Sequence, residues 1–213
     1  MAVSLKKGQG ISLKKSEYDL SSVTIGLGWD IREEKKGFLS GIFSKKEEDY
    51  DLDAIAFLCL ADGKIENVGR NSSGNITLAG GDVIFYNNQK HGSENIWLTG
   101  DNRTGVGDAD DEQIIVNLNK LSDKYAKVVF IVQIYNGLKN GQNFGKIDNA
   151  FIRAIDGKGV EMLRFDLSGG INYENCRSML FGELIREHDG WKFTAIGEPS
   201  SSDSIMEWVN RYI

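Results

Sequence analysis

Hydrophobic and polar residues alternate with period two along much of the chain. Val23, Ile25, Leu27 and Trp29 share one face, while Thr24, Gly26, Gly28 and Asp30 share the other, as in a half-buried β-strand. Comparable signals predict strands at 83–86, 96–99, 114–118, 128–135, 151–155, 162–167, 179–186 and 191–196. Glycine, asparagine and aspartate turns separate them. The expected fold is all-β, a two-sheet β-sandwich.

An internal echo suggests a pseudo-twofold repeat. Asp62-Gly63-Lys64 follows Ala56-Phe57-Leu58 at the offset at which Asp156-Gly157-Lys158 follows Ala150-Phe151-Ile152. Each unit has a strong β run upstream, at 23–29 and 128–135. Duplication and two chance hairpins both fit, since Asp-Gly is common in hairpins.

Two segments leave the pattern. Residues 32–48 read as a long loop with an apolar centre, inserted in a domain spanning 1–198. In residues 199–213, Ile205, Trp208, Val209 and Tyr212 stand at i, i+3, i+4 and i+7 behind Asp203 and Ser204. That spacing predicts a short C-terminal amphipathic helix packed against its own domain.

Composition narrows the function. The chain has 213 residues and a net charge of −6, which speaks against a general nucleic-acid binder. The start at Met1 lacks the apolar stretch of a signal peptide, and no run reaches membrane-span length, so the expected compartment is the cytoplasm. Cys59 and Cys176 are the only cysteines; Cys59, in an apolar run, reads as a buried free thiol. His91 and His188 lie in turn-like surroundings and read as solvated. Gly26-Leu27-Gly28 sits inside a strand, so close strand packing explains it better than a nucleotide loop.

The chemistry lies in two acidic clusters. Asp49, Asp51 and Asp53 stand at i, i+2 and i+4, so in a strand they project from one face. Ile55, Phe57 and Cys59 continue that face as core, which puts the acids at a rim of the sandwich. The second cluster, Asp108, Asp110, Asp111 and Glu112, closes the segment Gly100-Asp101-Asn102-Arg103-Thr104-Gly105-Val106-Gly107. Crowded carboxylates repel one another unless a cation sits among them. Oxygen ligands without His or Cys favour a hard cation, calcium before magnesium. The segment matches an EF-hand loop in length but not in detail: Arg103 and Val106 occupy the third and sixth places. A solvated acidic turn, with Arg103 as counter-charge, is the alternative.

These residues carry a resemblance to the TerD family of tellurium-resistance and general stress proteins. It rests on Val23-Thr24-Ile25-Gly26-Leu27-Gly28-Trp29-Asp30, Asp49-Tyr50-Asp51-Leu52-Asp53-Ala54, Phe85-Tyr86-Asn87-Asn88 and the segment 100–112. Gly141-Gln142-Asn143-Phe144-Gly145, Asn149-Ala150-Phe151-Ile152-Arg153, Phe181-Gly182-Glu183-Leu184 and Gly190-Trp191-Lys192-Phe193 follow in the family's order. The resemblance implies a cytoplasmic, non-enzymatic β-sandwich that binds calcium, two ions, at one rim. It implies action as a scaffold or sensor within complexes of stress-resistance proteins near the inner membrane, against tellurite, phage and envelope stress. The implied ligands are Asp30, Asp51, Asp53, Asp101, Asn102, Thr104, Asp108, Asp110 and Asp111.

The chain departs from the family in its insertion at 32–48, a longer stretch at 65–82, Val106 for a glutamate, Ala109 for a glycine, and Tyr135-Asn136 for His-Asp. Phe38, Leu39, Ile42 and Phe43, flanked by lysines at 35, 36, 45 and 46, fit peripheral contact with an anionic membrane through residues 35–46. Capping the sandwich end, or facing another subunit, is the preferred reading of these residues, and the oligomeric state stays open. A metal-dependent hydrolase using the clustered aspartates is the alternative function.

Overall fold

The computed structural model describes residues 2–31, 50–99, 110–166 and 173–213. Their strands are β1 (Val3–Leu5), β2 (Gly10–Lys14), β3 (Val23–Ile31), β4 (Leu52–Cys59), β5 (Val83–Ile84) and β6 (Ile96–Leu98). The second half adds β7 (Glu112–Val116), β8 (Lys127–Ile134), β9 (Ile147–Ile155), β10 (Glu161–Asp166), β11 (Ser178–Glu187) and β12 (Gly190–Ser200). The first sheet runs β1-β10-β9-β3-β7-β6 and the second β2-β12-β11-β8-β4-β5. Among the described strands, only the β1–β10 pair is parallel. The sandwich predicted from alternation is therefore present. The short β1 and β2 carried no sequence signal strong enough to be predicted.

The order of strands repeats. In the first sheet β10-β9-β3-β7 are consecutive neighbours, and in the second β5-β4-β8-β11 are. Exchanging the sheets maps β3, β4, β5 and β7 onto β8, β9, β10 and β11, in chain order. The sequence echo thus has a topological counterpart, because Ala56-Phe57 and Ala150-Phe151 lie on the corresponding strands β4 and β9.

Two cores explain two kinds of strand sequence. Between the sheets, Val23, Ile25, Leu27 and Trp29 of β3 meet Leu52, Ala54, Ala56 and Leu58 of β4 within one large cluster. A second cluster lies on the outer face of the second sheet, where Ile55, Phe57 and Cys59 pack with Val129, Ile131 and Leu180. Strand β4 is consequently buried along its whole length, which is why its sequence is continuously apolar rather than alternating.

Residues of the 65–82 stretch and a five-residue helix, α2 (Ile205–Val209), cover this second face. Trp208 and Val209 are fully buried, and the Trp208 indole N–H donates to Ser178 Oγ at 2.8 Å. The apolar stripe predicted the helix and its seat correctly. The helical turns are fewer than the stripe implies, because Tyr212 reaches the same cluster from beyond the helix. A second short helix, α1 (Gly137–Asn140), follows β8.

Candidate metal centre

Strand polarity gathers the acids at one end of the sandwich. Strand β3 ends there with Asp30 and Ile31, β4 begins there after Asp51, and β7 begins there with Glu112 behind Asp110 and Asp111. The described chain leaves this end at Ile31 and Thr99 and returns to it at Tyr50 and Asp110. Asp49, Asp101, Asn102, Thr104 and Asp108, together with Arg103, Val106, Ala109 and the segment 35–46, lie outside the described residues.

Asp111 is the most constrained acid of the group. Its backbone N–H donates to Leu27 O at 2.8 Å and its Oδ2 accepts from the Trp29 N–H at 2.9 Å. The side chain thereby completes the β3 ladder one step beyond the last backbone pair, Leu27 with Glu112. Asp111 is only 3% exposed. Burial pushes its carboxyl above the ordinary carboxylate range; the Trp29 N–H opposes this, and repulsion from Asp30 and Asp110 adds to it. A cation would relieve that strain.

Asp30 is exposed and accepts from Asn149 Nδ2 at 2.7 Å. Asp110 is handled differently. Its side chain is inaccessible to solvent, and Oδ1 accepts from Arg153 Nε at 2.7 Å while Oδ2 accepts from Gln113 Nε2 at 3.1 Å. Arg153 also reaches Glu161 at 3.2 Å. Burial alone would lower the guanidinium's pKa, and the contacts with Asp110 and Glu161 more than reverse that.

The glycines of β3 make this possible. A β-carbon on Gly26 would stand 2.1 Å from Asp110 Oδ2, and one on Gly28 would stand 2.4 Å from the Phe151 ring. The expectation of close strand packing is corrected accordingly. The glycines leave room for a carboxylate and an aromatic ring lying across the outer face of the first sheet.

Asp51 and Asp53 stand apart from this group. Strand alternation puts them on the outer face of the second sheet, in line with Ile55 and Phe57. Asp53 is buried at 8% exposure and pairs across the ladder with Gln133; burial raises the pKa of the half-exposed Tyr86, and the Asp53 charge adds to it. The same alternation sets Asp30, next to the inward Trp29, on the outer face of the first sheet, so the Asp30 and Asp53 carboxylates lie on different sheets. Glu112 links the two sides, its carboxylate accepting from the Ala54 N–H. Strand β5 pairs only with Ala56 and Phe57 of β4, and Glu112 serves the uncovered edge beyond.

Among the described residues, no three His, Cys, Asp or Glu side chains converge closely enough to hold an ion. The described acids fit a hard-cation site in donor chemistry and in the strain at Asp111. The other candidate oxygens named from the sequence, in 101–108, lie outside the described residues.

The opposite end holds a network that the sequence did not reveal. Asp82, 2% exposed, accepts at Oδ1 from Tyr125 OH at 2.6 Å and contacts His91 Nε2 at 3.1 Å, while its Oδ2 accepts from the Asn67 N–H at 2.8 Å. His91 is therefore a packed member of a network and not a solvated turn residue. His188 is exposed, as expected, in the turn between β11 and β12. His91 also meets Ser93 Oγ two residues on, at 2.7 Å, but the partners that bury it, Asp82 and Tyr125, are 9 and 34 residues away.

The family model described as the TerD domain matches residues 1–212. The chain belongs to the TerD-domain family. It is 66% identical to the tellurium resistance protein TerX of Serratia marcescens over all of both chains. It is 39% identical to a tellurium resistance protein TerD of an Alcaligenes species, over 92% of this chain and 90% of that one. A stress response protein of Bacillus subtilis (strain 168) is 36% identical over the full length of both. The crystal structure of a TerD homologue from Streptomyces coelicolor A3(2) superposes with a TM-score of 0.57 at 21% identity, covering 87% of this chain and 94% of that one. The likeness shows that this TerD domain shares its sandwich fold.

Proposed function

We propose that this TerD-domain protein is a calcium-binding, non-catalytic scaffold or sensor of tellurite and general stress resistance, whose rim segments calcium orders. The observation that carries the reading is Asp111: a buried carboxylate, destabilised by burial and by Asp30, at the mouth of an acidic segment. Asp30 and Asp111 would form one half-site and Asp51 and Asp53 another, with Asp101, Asn102, Thr104 and Asp108 completing them. Two separated carboxylate sets support two ions. Asp110, already matched by Arg153, anchors the end of the acidic segment instead of ligating.

The hydrolase reading has no support at this rim. His91 bonds Asp82, whose carbonyl accepts from Leu58 at the far end of β4, and His188 lies in the turn after β11, also at the far end. No described helix is long and apolar enough to cross a membrane. A cytoplasmic location, peripheral contact through residues 35–46 and assembly with other stress-resistance proteins are parts of the same proposal. Liposome co-sedimentation of wild type against Phe38→Asp plus Phe43→Asp tests the membrane contact.

Calorimetry on EDTA-stripped protein tests the calcium reading. Calcium at a hundred times its dissociation constant stabilises the native state by about 2.7 kcal/mol per site, a rise of several degrees in melting temperature. An unchanged melting curve, with no heat of binding, overturns it.

A further inference from the structure

We propose that Asn149 is a positioning residue for Asp30, holding that carboxylate at the rim in cation-ready form without neutralising it; this rests on the calcium reading above. Between the pairs Gly28–Phe151 and Asp30–Asp148, β9 uses one more residue than β3. The extra residue is a bulge, and Asn149 sits in it with a φ of +53°, in the left-handed region. Glycine, asparagine and aspartate enter that region at least cost. Glycine would bring no side chain there, and aspartate would set a second negative charge against Asp30. Asparagine alone combines the backbone conformation with an N–H donor.

The donor is used. Nδ2 reaches Asp30 Oδ2 at 2.7 Å, and since a carboxylate only accepts, the amide nitrogen must be the atom facing it. The neighbouring acid shows the contrast. Asp110 meets a guanidinium that cancels its charge, whereas Asp30 meets a neutral amide that fixes its direction and leaves its charge intact.

Fold stability does not account for the contact. Both residues are exposed, and a hydrogen bond made in water adds little net stability. What it supplies is pre-organisation, which strengthens binding by lowering the ordering cost at the site.

Calcium titration calorimetry on the EDTA-stripped full chain tests this with wild type, Asn149→Gly, Asp30→Ala and the double variant. Asn149→Gly keeps the left-handed backbone and removes the amide. It should weaken calcium binding roughly 3- to 10-fold, the scale of one ordinary net hydrogen bond, and leave the calcium-free melting temperature unchanged. Asp30→Ala should weaken binding more, and the double variant should match Asp30→Ala, because the amide acts only through that carboxylate. Wild-type affinity in Asn149→Gly overturns the inference. So does a double variant weakened beyond Asp30→Ala by the full Asn149→Gly factor, or a lowered calcium-free melting temperature in Asn149→Gly. A wild-type protein that takes up no calcium removes the site itself, a failure visible before any variant is made.

Discussion

Replacing Gly26 by alanine should destabilise the protein by displacing the Asp110 carboxylate from its seat. The new β-carbon would sit 2.1 Å from Asp110 Oδ2 and 2.2 Å from its Cγ. The carboxylate would have to leave, breaking the 2.7 Å contact with Arg153 Nε and the 3.1 Å bond from Gln113. Asp110 is wholly shielded from solvent in its present seat, and Arg153 is 22% exposed. Breaking a buried pair by displacing one partner costs about 3–5 kcal/mol. Alanine recovers about 0.5–1 kcal/mol through its lower conformational entropy in the unfolded chain, and Glu161 remains as a partner for Arg153. A net loss of roughly 2–4 kcal/mol remains from those two magnitudes. Urea denaturation of calcium-free protein would read it as a lower midpoint at constant slope. The mechanism makes a sharper demand in the Asp110→Ala background, where nothing occupies the space above Gly26. There the same alanine should cost less than about 0.5 kcal/mol, the usual margin of additivity. Equal destabilisation in both backgrounds would refute the reasoning, and so would a tolerated single variant.

Three other outcomes follow from the structure. Asp82 is held below the ordinary carboxylate range because bonds from His91, Tyr125 and Asn67 outweigh the effect of burial. Its unfolded form therefore binds a proton more readily, so its stabilisation is full above about pH 4 and is lost as pH falls through the lower folded value; Asp82→Asn should flatten the acid side of the stability–pH curve. Trp208→Ala empties a fully buried site and removes the bond to Ser178, at a cost of about 3–5 kcal/mol in urea melts. Burial pushes the Cys59 thiol up to about 12 and Cys176 to about 11, so a thiol reagent at pH 8 should label native protein far more slowly than urea-unfolded protein; prompt native labelling would contradict the burial.

The sequence by itself determined most of the strands, though not the short β1 and β2, and the end of β4 at which Asp51 and Asp53 stand. Alternation at Val23 to Asp30 fixed which side chains of β3 face the partner sheet, and the run after Asp53 marked Ile55, Phe57 and Cys59 as core; that β4 is buried on both faces came from the second cluster outside the sheet. The i, i+2, i+4 spacing put Asp51 and Asp53 on one face and at an end, because strand periodicity is local geometry. Tertiary structure decided everything that depends on residues far apart in the chain. It placed Asp51 and Asp53 on the outer face of the second sheet and Asp30 on the outer face of the first. It spent the charge of Asp110 on Arg153, 43 positions away, in a space left by Gly26. It drew His91 into contact with Asp82 and Tyr125. A residue's own neighbours dictate the direction of its side chain, but only the packing of the sheets dictates what that side chain meets.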